Sequence, residues 1–476
     1  MPPTKIERAA QIKKQVGRQT NLLKTKGAIT MRVMKWSAIA LAVTAASAQM
    51  ATAAPFVSDQ ADAKGFVEGS TLDLKLRNYY FNRDNKNGNS DLRDWTQGLW
   101  ANFSTGYTQG TVGVGAEAFG YFGMQLWAPD AYSGSTNLAF NRNTGENENS
   151  LGKLGGAVKF RISKTELKIG DMQPTSPVFA VGGSRLLPQT ASGLSLQSSE
   201  ISGLDLEAGH FYSGTSQNDT SHDGGIFANY AGVEANSADF AGGKYAITDS
   251  LGVAFYAAKL EDIWDQYYAN VNYALPLGGD QSLAFDANIY RTVDEGSAKA
   301  GSISNTAFSG SAAYSFLAAH TVTLALQKIN GDTPFDYIGI GDNNRGGDSI
   351  FLNNSIQYSD FNGPGEKSWQ VRYDLNMTPY GVPGLSFMTR YIRGTDIDGT
   401  NISANSAYRK NDGSPLYGAD GKHHETNLEA KYVVQTGPAK DLSFRVRQAW
   451  HRANADQGEG DVNEFRLIVD YPISIL

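Results

Sequence analysis

The sequence predicts an all-β protein, a transmembrane antiparallel β-barrel that follows a cleaved secretory signal. Three observations favour it: a signal-like amino terminus, side chains that alternate between apolar and polar with a period of two, and connections that alternate between short turns and long polar loops. Composition excludes other classes. The 476 residues include no cysteine, which excludes disulfide scaffolds, thiolate metal sites and cysteine nucleophiles.

The charge is distributed unevenly along the chain. Residues 1–53 carry nine basic residues and one acid, so the remaining chain has a net charge of −15 although the whole chain has −7. A body this acidic would repel a polyanion, which excludes nucleic acid as a partner.

The amino terminus reads as a targeting segment. Residues 31–35 form a short cationic start, residues 36–48 an apolar core, and small residues follow, which predicts cleavage near Ala53 or Ala54. The apolar core is shorter than the 20 or so residues of a membrane-spanning helix. An organelle-type presequence is the alternative. We expect three segments: a non-native extension at 1–30, a signal peptide at 31–53 and a single barrel domain at 54–476.

The body of the chain has the alternation of half-buried strands. In residues 71–80, Leu72, Leu74 and Leu76 alternate with polar neighbours, a pattern that no helical stripe would produce. The same alternation predicts further strands at 158–161, 282–290, 321–329, 368–377, 428–434, 442–447 and 464–471.

Connections of two kinds separate these strands. The short turns fall at 109–110, 248–249, 276–279, 383–384 and 437–441, and the long polar stretches at 82–94, 128–150, 213–225, 294–305, 331–367, 394–425 and 452–461. Outer-membrane barrels have short periplasmic turns and long external loops, whereas a soluble β-solenoid or lectin, the alternative, need not. The spacing predicts roughly 16–20 strands, enough to enclose an aqueous channel.

Aromatic residues fall on the apolar phase of the strands and basic residues on the polar phase. The first are typical of an interfacial girdle, for example Trp369 and Tyr391. Strand periodicity directs a set of cations into the bore: Lys159, Arg161, Arg372, Arg390, Lys431, Arg445, Arg447 and Arg466. These cations could bind anionic solutes, or they could hydrate the wall and pair with acids such as Glu429, Glu464 and Asp470.

Four runs resemble the OprD family of outer-membrane carboxylate channels, in particular its OccD branch. They are residues 182–190, 334–339, 357–369 and 466–476, and the resemblance extends from 31 to 476. It implies an 18-stranded barrel with loops folded into the pore, in a Gram-negative outer membrane. The family's basic ladder matches here at Arg83, Arg161, Arg185, Lys431, Arg445, Arg447 and Arg466.

Two insertions are expected to form the constriction, at 171–200 and 332–366. The first is rich in proline and glycine and carries Arg185. The resemblance places the eyelet at Tyr230, Tyr337, Tyr358 and Asp360, with Asp336 as a neighbouring acid. Ordinary packing is the alternative for the tyrosines.

The resemblance implies passive diffusion of small carboxylate-containing solutes, especially arginine, lysine and short peptides, with carbapenem-type antibiotics as adventitious passengers. It also implies contact with outer-membrane lipid and lipopolysaccharide, and a chain that functions as a monomer. Other organic or aromatic carboxylates are an alternative, as is an adhesin-like structural barrel.

A serine peptidase is a further alternative, because His210, Asp262 and Ser349 match a triad linked to the family. Ser349 nevertheless lacks the pattern of a nucleophile elbow. We expect no cofactor and no metal, since His423 and His424 read as a solvated loop end.

Overall fold

The computed structural model of the chain describes residues 55–86, 88–128, 137–139 and 148–476. The predicted extension at 1–30 and signal peptide at 31–53 lie outside these residues.

Strands account for most of the described chain. In chain order they are β1 (Thr71–Asn85), β2 (Leu92–Ser104), β3 (Val112–Trp127), β4 (Ser150–Ile162), β5 (Thr165–Met172), β6 (Thr175–Ser176), β7 (Phe179–Ala180), β8 (Thr190–Ile201), β9 (Leu204–Thr215), β10 (Ile226–Ala228), β11 (Val233–Ala235), β12 (Ala238–Thr248), β13 (Leu251–Leu260), β14 (Trp264–Gly278), β15 (Gln281–Asp294), β16 (Ser304–Phe316), β17 (His320–Asn330), β18 (Ile338–Ile340), β19 (Lys367–Asn376), β20 (Leu385–Ile397), β21 (Gly421–Val433), β22 (Ser443–Ala453) and β23 (Val462–Ser474).

Eighteen of these strands form one closed antiparallel barrel, which confirms the predicted fold class. Each barrel strand pairs with the next one along the chain, and β1 pairs with β23 to close the sheet in a register running from Asp73↔Ser474 to Asn85↔Val462. Closure leaves no unpaired edge in this sheet. A sheet in hydrocarbon must be closed in this way, because lipid offers no hydrogen-bond partners to backbone groups.

The two ends of the barrel differ as the sequence predicted. One end has short turns, including 163–164, 202–203, 249–250 and 279–280. The other end has the long connections 128–149, 173–189, 216–237, 331–366 and 398–420, together with the short 261–263.

The two faces of each strand also differ. Leu324 and Leu326 point outward with 57% and 68% of their surfaces exposed, and Trp369 is among the outward aromatics. On the intervening positions of the same sheet, Thr323 and Gln327 are buried inside the barrel. An outward apolar face is expected in lipid, where a basic residue at mid-depth costs about 2–4 kcal/mol.

The core lies inside the barrel, where long connections fold inward. Strands β10, β11 and β18 form a small separate sheet there, and β6 pairs with β7. Loops 173–189 and 331–366 meet where the Ala180 N–H donates to Ser349 Oγ at 2.6 Å. Phe179 of the first loop stacks on Phe211 of the wall, with ring centroids 4.5 Å apart. The loops are therefore packed elements of the structure that narrow the bore.

The expected insertion at 171–200 is wrong at both ends. Residues 171–172 complete β5 and residues 190–200 belong to β8, so the inward loop is 173–189. Within the described ranges, the helices are two short 3-10 turns, Gln60–Asp62 and Thr378–Tyr380, and no helix is long and apolar enough to cross a membrane.

Candidate functional site

Five arginines from the four strands β19, β20, β22 and β23 line one side of the bore, and we call this set the arginine wall. It comprises Arg372, Arg390, Arg445, Arg447 and Arg466, with Arg83 of β1 and Arg185 of loop 173–189 beside them. Two pairs within it, Arg372↔Arg390 and Arg447↔Arg466, lie directly opposite each other on adjacent strands. Like charges in cross-strand pairs destabilise a sheet, so stability of the sheet does not explain this arrangement.

Two carboxylates neutralise some of the charge on the arginine wall. Glu464, which is fully buried, lies 2.6 Å from Arg83 and 2.5 Å from Arg466. The expectation that lumen cations pair with nearby acids is therefore correct for this pair.

Glu429 of β21 is the second of these carboxylates. Its side chain lies 2.8 Å from Arg445 and 3.1 Å from Arg447. The side chain of Arg445 nevertheless remains 40% exposed, so it is accessible from the bore.

Some guanidinium donors on this side are buried without a partner. Among the described residues, the buried Nε atoms of Arg185, Arg445 and Arg447 have no hydrogen-bond partner. Arg185 reaches the wall from its loop, with its guanidinium 5.4 Å from the ring of Phe81. Burial, with Arg466 nearby, lowers the pKa of Arg185 to about 10, so the guanidinium stays charged at neutral pH. A solute carboxylate would contact the partly exposed ends of Arg185 and Arg445 and not these buried Nε atoms.

Two expected ladder residues lie nearer the short-turn end. Arg161 is 6% exposed, because its Nε donates to Gln60 Oε1 at 3.0 Å and its Nη1 to Ser58 Oγ at 2.6 Å. The amino-terminal segment thus occupies its donors. Lys431 is exposed and lies opposite Arg445 in the sheet.

The facing side of the constriction carries Asp360, on loop 331–366. Its Oδ2 accepts hydrogen bonds from the hydroxyls of Tyr230 at 2.8 Å and Tyr337 at 3.1 Å. Its Oδ1 accepts from Ser355 Oγ at 2.6 Å. Burial between the loops raises the pKa of Asp360, although the Ser355 and Tyr230 hydrogen bonds act in the opposite direction.

Asp336 is enclosed by hydrogen-bond donors and has a structural role. It is 3% exposed, and its carboxylate accepts from the backbone N–H groups of Tyr230, Ala231 and Tyr337 and from the Tyr408 hydroxyl. Burial raises its pKa to about 6, against the effect of these donors. The expected neighbouring acid is therefore enclosed, and it holds the Tyr230 turn against loop 331–366.

Tyr358 joins the loop to the arginine wall. The Arg83 guanidinium lies 5.0 Å from the centroid of its ring, within reach of a cation–π contact. The adjacent Gln357 carbonyl accepts from Arg466 Nη2 at 3.1 Å. The loop that presents Asp360 is thereby fixed at a short distance from the arginine wall.

Towards the short-turn end the bore holds a polar cavity of about 380 Å³. Its lining includes Glu117, Lys168, Asp171 and Glu207. Charged lining of this kind indicates water in the lumen.

Comparison with known proteins is consistent with this geometry. The family model described as "outer membrane porin, OprD family" matches residues 64–475. The chain belongs to the OprD family of outer-membrane porins.

Individual relatives are similar over most of their length. Porin D of Pseudomonas aeruginosa is 66% identical over 448 residues, which cover 94% of this chain and all of that protein. A crystal structure of OprD from the same organism superposes with a TM-score of 0.77 at 63% identity, covering 89% of this chain and 100% of that one. The structure of P. aeruginosa OpdK with vanillate gives a TM-score of 0.76 at 33% identity, covering 86% and 100%.

In this porin the expected peptidase triad does not assemble. His210 is on the outward face of β9, where its Nδ1 lies 2.7 Å from Asp239, while Asp262 accepts from Ser297 N–H in the 261–263 turn. Ser349 lies inside the barrel, fully buried and hydrogen-bonded to Ala180. The sheet therefore separates the histidine from the serine.

Sequence reasoning missed two features of the bore. Asp348 is exposed beside Gly183, whose N–H lies 3.3 Å from its Oδ2, so it is a second acid near Arg185. The only available signal was its place in the glycine-rich centre of the insertion. The expectation that His423 is a solvated loop end was wrong, because it is 3% exposed and contacts His451 from the next strand.

Proposed function

We propose that this porin passes small solutes that carry a carboxylate, especially arginine, lysine and short peptides, by passive diffusion, with carbapenem-type antibiotics as adventitious passengers. The observation that carries the proposal is that loop 331–366, which carries the Asp360 carboxylate, contacts the arginine side through Gln357 and Tyr358. A solute with both charges can contact both sides at once.

The carboxylate is expected to move along the arginine wall. Arg185 and Arg445 are the partly exposed guanidinium groups that it can contact. Conduction requires release as well as entry, and partial neutralisation by Glu429 and Glu464 keeps any single position from binding too tightly. Arg83, Arg447 and Lys431 extend the same positive surface, and Arg161 and Arg466, which are buried, add positive charge behind it.

The cationic end of the solute is expected to contact Asp360. An ionised carboxylate has about four acceptor positions, and three are occupied by Tyr230, Tyr337 and Ser355. One position therefore remains for a guanidinium or ammonium group. Tyr230, Tyr337 and Tyr358 shape the aperture, and Asp336 supports it from behind.

The P. aeruginosa OpdK structure is one with vanillate, an aromatic carboxylate without a cationic group. Passage of such solutes is the alternative for this chain. Asp360 favours the zwitterionic class, since an anion without a cationic end gains nothing from it.

Three solutes of matched size separate the two contacts in proteoliposomes: arginine, agmatine, which lacks the carboxylate, and citrulline, which keeps the α-ammonium group but has a neutral ureido group in place of the guanidinium. Arginine is expected to permeate fastest. Asp360→Ala should remove its advantage over citrulline, and Arg185→Ala should reduce its advantage over agmatine a few-fold, because the other arginines remain. The outward residues Asp265 and Arg291 provide the controls Asp265→Asn and Arg291→Ala, which should resemble the unaltered protein.

Equal permeation by all three solutes would contradict the selectivity. Single-channel recording in planar bilayers tests the rest: we expect single conductance steps, as a functional monomer in lipid or lipopolysaccharide bilayers would give. An adhesin-like structural barrel or a peptidase would give no solute-blocked current.

A further inference from the structure

Two buried histidines face each other at the loop end of the barrel, behind the loop that carries Asp360. His423 of β21 and His451 of β22 are 3% and 0% exposed, and His423 Nδ1 lies 2.9 Å from His451 Nε2. The carboxylate of Glu459, in the connection 454–461, lies 3.8 Å from the first of these nitrogens and 3.4 Å from the second.

The outer nitrogens fix the protonation of the rings. His451 Nδ1 lies 2.8 Å from the Gly460 carbonyl, which can only accept, so this nitrogen carries the proton. His423 Nε2 lies 2.7 Å from Glu366 Oε1, and an ionised carboxylate also only accepts. With both protons on the outside, the two inner nitrogens present lone pairs to each other and require a cation between them.

The cation could be a proton or a metal ion, and the carboxylate favours the metal. Four-coordinate zinc with bonds of about 2.0–2.1 Å separates its ligand atoms by about 3.3 Å. The three separations here are 2.9, 3.4 and 3.8 Å, which lie on either side of that value. Glu459 Oε2 also accepts from Gln457 Nε2 at 2.9 Å, and it keeps further acceptor capacity for a metal ion between the two inner nitrogens.

The surroundings resemble the outer shell of a metal site. Metal-binding histidines usually donate their other N–H to a carboxylate or a backbone carbonyl, as Glu366 and Gly460 provide here. Glu366 is itself held by the Gly363 N–H at 2.8 Å. Phe361 stacks on the His423 ring with centroids 4.1 Å apart.

A glycine makes room for this arrangement. A Cβ at position 394 would overlap Glu366 Oε1 and would lie 2.6 Å from His423 Nε2. Any larger residue would displace the carboxylate from the imidazole.

We propose that His423, His451 and Glu459 bind a divalent zinc-class cation, with the fourth position open to water. The site lies directly behind the aperture, because the ring of Tyr358 packs on that of His451 with centroids 4.9 Å apart. A bound ion fixes the loop that carries Asp360 to the ends of β21 and β22, because Phe361 and Glu366 both contact His423.

The test uses the untagged full barrel in detergent, with zinc added as the probe. Zinc content after dialysis is expected to reach one ion per chain. His423→Gln should abolish it, whereas His424→Gln, which alters the neighbouring histidine of the other face, should leave it unchanged. Glu366→Gln should weaken binding about 10–100-fold, as loss of an outer-shell partner does.

Cobalt substitution supplies a second readout. The expected result is the intense visible absorption of tetrahedral cobalt, lost in His423→Gln and altered in Glu459→Gln, a change in a partly exposed loop that should not impair folding. Zinc content no higher in the unaltered protein than in His423→Gln, or equal loss in His424→Gln, would overturn the site and leave a shared proton as the cation.

Discussion

The basic side of the constriction is built on strands and is held by ion pairs, whereas the acidic side is built on a loop and is held by hydroxyl groups. Arg83 and Arg466 converge on Glu464, which has no exposed surface. Asp360 instead accepts from Ser355, Tyr230 and Tyr337.

The difference concerns what each charge needs in order to remain charged. Guanidinium groups crowded on one wall repel each other, so buried carboxylates must offset them. A single carboxylate on a loop needs only donors, which neutral hydroxyls supply without cancelling its charge. Substitutions on the arginine side are therefore expected to lower the stability of the barrel. Substitutions on the acidic side are expected to change its solute selectivity.

The largest expected effect is on stability, from Glu464→Gln. It leaves Arg83 and Arg466 facing each other without compensation, and should lower the free energy of unfolding by about 3–5 kcal/mol. Urea titration followed by tryptophan fluorescence measures this. Glu429→Gln is the comparison variant and is expected to cost less, because one of the two partners of Glu429, Arg445, is 40% exposed, although the other, Arg447, is 16% exposed. Equal losses in the two variants would break the comparison.

The next largest effect is on selectivity, from Asp360→Asn. The change removes the charge and keeps the size, so block of the current by agmatine should weaken about tenfold, equivalent to about 1.4 kcal/mol. Stability should change little. Unchanged block, with Asp265→Asn for reference, would show that another group binds the cation.

Arg185→Ala should have a smaller effect on anionic ends. Because Arg445 and other arginines remain, affinity for arginine should fall a few-fold, about 1 kcal/mol, and affinity for agmatine should not. Noise analysis of solute block measures both, with Arg291→Ala as the outward control. An equal loss of affinity for agmatine would show that Arg185 supports the structure of loop 173–189 and does not contact the solute.

Acidification should reduce cation discrimination gradually. The pKa of Asp360 is raised by burial, so its charge is present above that pKa and is lost as pH falls through it, at a pH above the 3.9 or so of an ordinary aspartate. Agmatine block measured against pH shows the midpoint, since agmatine has no carboxyl of its own. Asp360→Asn should show no such transition; a transition that persisted in this variant would assign the titration elsewhere.

The smallest expected effect is the chemical labelling of Ser349. Its hydroxyl is fully buried and hydrogen-bonded to Ala180, while His210 is on the opposite face of the sheet. Diisopropyl fluorophosphate should therefore leave it unlabelled, as judged by peptide mass mapping. Labelling of Ser349, lost in His210→Ala, would require a rearranged structure.

Sequence reasoning predicted most of the fold and less of the site. Alternation within 368–377 was enough to assign Trp369 to lipid and Arg372 to the bore, because a strand has only two faces. The alternation could not show that Arg161 donates a hydrogen bond to Gln60, or that Asp336 is enclosed by backbone donors. Both depend on segments that are distant in sequence. His423 was misread for the same reason, as its partner lies on the next strand.

The sequence by itself determined which side chains face lipid and which face water, and which connections are long, because both follow from a period of two and from local composition. Only the tertiary structure decided which charges remain available to a solute. That depends on how loops 173–189 and 331–366 fold back into the bore and which donors and carboxylates they occupy, a balance of non-local contacts that no local pattern records.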